Sequence, residues 1–85
     1  MNRILVTTYL SQDERIAGVM EAEYAMTNSW RDNGIIEHLF ARENNGGGVV
    51  VFKETDIGKV KQLMSELPLF PYFEKVDYML LEKIY

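Results

Sequence analysis

The run Val49-Val50-Val51-Phe52 has no polar residue at any position, and this constrains the fold more than any other feature of the chain. A strand with one solvated face alternates apolar and polar side chains, whereas a strand apolar throughout is covered on both sides. The segment from Arg3 to Leu10 has the same character. Ile4, Val6 and Leu10 alternate there with Arg3, Leu5 and Tyr9, so apolar groups point both ways. A sheet made from such strands needs two covers.

The remaining elements supply only one. Ser11 and Glu14 have the spacing of a capping box, which predicts a helix from Gln12 to about Asn33, with Gly34 as its left-handed stop. Ile35 to Arg42 reads as a second strand, and Asn44-Asn45-Gly46-Gly47 as a hairpin into the Val49–Phe52 strand. Asp56 opens a second helix carrying Ile57, Val60, Met64 and Leu67 at helical spacing, and Pro68 ends it. Val76 to Ile84 is the fourth strand. The order βαββαβ predicts an α+β, ferredoxin-like domain with a four-stranded antiparallel sheet. Two helices cover one face of it. A second copy of the same sheet is the simplest cover for the other, which gives a dimeric α+β barrel.

The size of the chain points the same way. With 85 residues it is expected to form one domain, residues 1–85. Domains this small bury only about 60% of the surface their unfolded chains expose. No cysteine is present to supply disulfides or thiolate zinc sites, so self-association is the expected support. Nine Lys and Arg against 13 Asp and Glu give a net charge of −4, which argues against a nucleic-acid partner. No apolar stretch approaches the ~20 residues of a membrane helix, and the N-terminus lacks the pattern of a signal peptide. A cytoplasmic protein with no membrane partner is the expectation.

Within the first helical segment, Ile16, Val19, Met20, Met26, Thr27 and Trp30 fall on one stripe, and Glu23 falls in its middle. A carboxyl among Val, Met and Trp is desolvated, its pKa rises, and it becomes suited to taking and returning a proton near neutrality. The competing reading pairs Glu23 with His38, Arg42 or a tyrosine hydroxyl in a structural network. His38 is expected to share a strand face with Ile36, Phe40 and Arg42, as a polariser beside Glu23 or as a hydrogen-bonded core residue. One histidine without cysteine cannot make a typical zinc site, and no metal or cofactor is expected. Gly46-Gly47-Gly48 lies between strands and lacks a following Lys and Ser or Thr, so it is a tight turn rather than a phosphate loop. Its glycines also leave room for a ligand. Aromatic residues such as Phe40 and Tyr72 are core, interface or cavity lining.

The segment Ser65-Glu66-Leu67-Pro68-Leu69-Phe70-Pro71-Tyr72 resembles the signature of the muconolactone isomerase family. Extended without gaps, the likeness places Gly34 on the glycine ending that family's first helix. It also places His38-Leu39-Phe40 on its His-Leu-Trp, and Phe52 on a phenylalanine of its third strand. It runs from about Met20 to Tyr78. The resemblance implies homo-oligomers of dimeric α+β barrels that use no cofactor. It implies a proton shift between carbons of an unsaturated lactone acid, in catabolism of aromatic compounds. Glu23 falls on the family's proton-transfer glutamate, and Leu69, Phe70 and Tyr72 on contacts between subunits or around the pocket.

Gly46 and Gly48 stand where the family has a tyrosine and an asparagine that help hold substrate. His38, Arg42, Asn44 and Asn45 are the candidate replacements, and Trp30, Phe40 and Phe70 further candidates for the substrate pocket. Three readings follow: an isomerase-like enzyme with Glu23 as acid and base and His38 as orienter, a cofactor-free oxygenase on the same barrel, and a non-catalytic oligomer that binds a small molecule.

Overall fold

The computed structural model describes residues 2–85. The chain forms β1 (Asn2–Leu10), a 3-10 segment (Glu14–Val19), α1 (Met20–Asp32), β2 (Ile36–Ala41), β3 (Gly48–Phe52), α2 (Ile57–Ser65), a 3-10 turn (Phe70–Tyr72) and β4 (Phe73–Glu82). The four strands make one antiparallel sheet in the order β2-β3-β1-β4. This is the ferredoxin-like arrangement expected from the sequence, the subunit fold of dimeric α+β barrels.

Cross-strand partners share a face of a sheet. Ile4 pairs with Phe52 and Val6 with Val50, and all four are buried beneath the helices. Trp30 of α1 and Val60 and Met64 of α2 close over them, with the Trp30 ring centroid 5.6 Å from that of Phe52. The opposite face carries Leu5, Val49, Val51 and Met79, which are neighbours through the β1–β3 and β1–β4 registers. Neither helix covers it, and Met79 remains 58% exposed.

Two starts differ from the sequence reading. The first helix does not begin at a Ser11 capping box, because the Ser11 N–H is already donated to the Tyr72 carbonyl at 2.8 Å. The cap is Asp13, whose carboxylate accepts the Arg15 N–H at 2.9 Å. A 3-10 segment containing Gly18 then precedes the α-helix proper at Met20. The fourth strand begins at Phe73 rather than Val76, since Leu10 and Tyr9 extend the β1 ladder to Phe73 and Lys75. Elsewhere the expected signals hold. Gly34 takes φ 71° after α1, and the Asp56 carboxylate accepts the Gly58 and Lys59 N–H groups at the start of α2.

A bulge in β2 decides which way His38 points. Ile36 pairs with Phe52 but His38, not Glu37, pairs with Val51. The extra residue turns His38 and Phe40 to the uncovered face while Ile36 stays in the core. Ile36, His38 and Phe40 therefore do not share a face as their spacing predicts.

Candidate active site

A cavity of about 740 Å³ opens between the first helical segment and the end of the sheet that carries the β2–β3 hairpin. That volume lies in the range of small-molecule sites. Ile16, Met20, Glu23 and Thr27 form one wall, Leu39, Gly48 and Val50 the floor, and Leu67 and Leu69 the inner end. Arg42, Asn44, Asn45 and Gly46 line the hairpin side.

The hairpin is held against the end of β1. Leu10 N–H donates to the Gly46 carbonyl at 2.9 Å, and the buried Thr8 hydroxyl accepts the Gly48 N–H at 2.8 Å. At Gly47, with φ 133°, a Cβ would lie 2.7 Å from the Thr8 carbonyl carbon, so only glycine allows this approach. Asn44 and Asn45 both take left-handed φ values of 58° and 56°, which asparagine tolerates better than most residues.

Glu23 is 8% exposed, and its Oε1 accepts the Leu69 N–H at 3.0 Å. It joins no ion pair among the described residues, whose six salt bridges all involve other side chains. Among the described residues its Oε2 receives no hydrogen bond. Because no fully buried side-chain oxygen among the described residues lacks a partner, that atom retains some exposure, and Glu23 lines the cavity. Burial pushes the Glu23 carboxyl above its ordinary pKa, and the Leu69 hydrogen bond to the charged form pulls it only part of the way back.

Arg42 is the cation of the site. Its Nη1 donates to the Thr8 carbonyl at 3.0 Å and to the Gly46 carbonyl at 3.4 Å, and its guanidinium lies 4.3 Å from the Tyr9 ring centroid. No carboxylate among the described residues pairs with it. The charge is thus fixed by carbonyls and a ring rather than neutralised.

Glu23, Arg42, Gly46 and Gly48 line one cavity, and Phe40 reaches its rim while staying 56% exposed. Trp30 packs into the core on Phe52 and lines no part of it. Phe70 lies against Phe73 in an edge-to-face contact, and Tyr72 stacks under the Arg15 guanidinium at 5.6 Å. His38 sits on the other side of the sheet, beside Phe40 and 3.9 Å from Glu37, and cannot orient Glu23 within this subunit. The Leu69 amide and the Thr8 hydroxyl were not foreseeable as site groups. The first is a backbone atom, and the second reads in the sequence as an ordinary strand residue. Among the described residues no cluster of three His, Cys, Asp or Glu is placed to hold a metal, and no helix is long and apolar enough to cross a membrane.

The fold is shared with a 5-chloro-2-hydroxyhydroquinone dehydrochlorinase from Burkholderia phenoliruptrix, solved with 2,5-dihydroxybenzoquinone. The two agree with a TM-score of 0.74 at 11% identity, over 91% of this chain and 90% of that one. An antibiotic biosynthesis monooxygenase is similar too, with a TM-score of 0.65 at 12% identity over 99% of both chains. At these identities the likeness is one of fold. No curated protein sequence matches the chain. Residues 5–81 match the sequence profile of the muconolactone delta-isomerases. With that match spanning nearly the whole chain, the protein belongs to the muconolactone delta-isomerase family.

Proposed function

We propose that the protein is a proton-shift isomerase that acts, without a cofactor, on a small unsaturated lactone acid or a related enolisable acid. The observation that carries this reading is the Glu23 carboxyl: buried, free of any ion pair among the described residues, and lining a cavity with one oxygen that retains some exposure. In the carboxylate form Oε2 takes a proton from a carbon next to the substrate carbonyl. The C–H electron pair moves into the conjugated system, and the negative charge gathers on the carbonyl oxygen as an enolate. Oε2–H then returns the proton to a second carbon, and the double bond moves. Among the described residues Glu23 is the one buried carboxyl of the cavity, so removal and return fall to a single side chain.

Arg42 takes the substrate carboxylate in this scheme, a role that Gly46 and Gly48, having no side chains, cannot share. Asn44 and Asn45, on the same side of the cavity, are the nearby neutral donors for the enolate. The subunit works as a homo-oligomer, with the apolar face of Leu5, Val49, Val51 and Met79 against a second copy.

The test is turnover of enolisable lactone acids in deuterium oxide, with the wild type and Glu23→Gln. A single base predicts partial retention of the substrate proton in the product, and a loss of about 10²–10⁴-fold in the variant. Binding of such acids without turnover by the wild type would instead support the non-catalytic reading, which the two glycines in place of tyrosine and asparagine favour.

A further inference from the structure

The Leu67–Tyr72 connection contains two prolines, and its backbone donors are nearly all spent locally. Leu67 N–H goes to the Met64 carbonyl at 3.1 Å, Phe70 N–H to Leu67 at 2.9 Å, and Tyr72 N–H to Leu69 at 2.8 Å. Pro68 and Pro71 have no N–H to offer. One amide in the run is left, that of Leu69, and it reaches across 46 positions of sequence to the Glu23 carboxyl. The tie is buried, and Leu69 itself is 6% exposed.

We infer that this connection is the positioning element of the acid–base group: the Leu69 N–H holds Glu23 Oε1, and so makes Oε2 the atom that carries the proton. An oxygen that accepts a buried N–H has one lone pair engaged and its charge partly compensated, so it is the less basic of the two. The free oxygen also retains some exposure, on a residue that lines the cavity. Two fixed φ angles at the prolines keep the amide aimed as the carboxyl gains and loses its proton. Leu69 acts through Glu23 and touches no reacting atom, which makes it a positioning residue. The inference rests on Glu23 being the acid and base, and it gives the proline-rich run a role beyond packing.

The experiment is a pH titration of the intact protein by NMR, following the Glu23 carboxyl carbon and the Leu69 amide proton and nitrogen together. The Leu69 amide is expected to shift with the midpoint of the Glu23 carboxyl, and to lose that response in Glu23→Gln. In Pro68→Gly/Pro71→Gly the Leu69 response shrinks and the Glu23 midpoint moves higher still, because a bond that favours the charged form has been weakened. A merely structural connection would leave the carboxyl midpoint where it was. Should the double variant not fold, the single Pro71→Gly variant makes the same comparison, and the wild-type titration tests the contact on its own. A Leu69 amide that stays flat while Glu23 titrates overturns the positioning role, whether or not lactone acids turn over. A coupled titration with no turnover of any enolisable acid upholds the contact and overturns the isomerase reading.

Discussion

The two simplest replacements of Glu23 should separate in stability. In Glu23→Gln the amide oxygen still accepts the Leu69 N–H, and the buried charge is gone. In Glu23→Ala that N–H is stranded in a buried site, which costs about 1–3 kcal/mol before any loss of packing. For a domain of this size each kcal/mol moves Tm by about 4–8 °C. The folded-state pKa of Glu23 is raised above its ordinary value of 4.5, so the folded protein binds this proton more tightly than the unfolded chain does. The stability linked to it is fully present below the unfolded value and is lost as pH rises to the folded one. Glu23→Gln, which cannot ionise, therefore gains on the wild type at pH 8 and not at pH 4. Thermal unfolding followed by circular dichroism, at one fixed protein concentration because oligomers melt concentration-dependently, reads all three proteins at both pH values. Equal stability of the Gln and Ala variants, or a Gln variant weaker than wild type at pH 8, would refute the argument.

Four further outcomes are expected. The rate constant for turnover rises with pH as Glu23 ionises, with an acid limb above the ordinary glutamate range, and Glu23→Gln removes that limb. Gly47→Ala drives a Cβ into the Thr8 carbonyl at a positive φ, and should cost about 1–3 kcal/mol or more in chemical denaturation. Arg42→Met keeps the stem but not the guanidinium. It should raise KM for a carboxylate substrate about 10-fold or more and change kcat less, whereas an effect on kcat alone would move Arg42 to enolate stabilisation. Val51→Glu places a charge in the middle of the uncovered sheet face; on the proposed assembly through that face, sedimentation should show the variant as monomers at concentrations where the wild type associates.

The sequence alone determined the order of elements, the two-sided apolar character of the sheet, and the lone carboxylate on an apolar stripe. These are local patterns: period 2 in Val49–Phe52, period 3.6 around Glu23, and punctuation at Gly34, Asp56 and Pro68. The tertiary structure decided the rest, because it depends on atoms far apart in the chain. Ser11 gave up its capping role to a hydrogen bond with Tyr72, and one extra residue in β2 moved His38 to the far side of the sheet from Glu23. Side-chain alternation predicts faces only while the register is unbroken, and a bulge leaves no mark that spacing can read. The same holds for the partner of Glu23. A carboxylate among Val, Met and Trp announces that it is desolvated, but its hydrogen bond comes from a backbone amide 46 residues away, and every residue except proline has one of those.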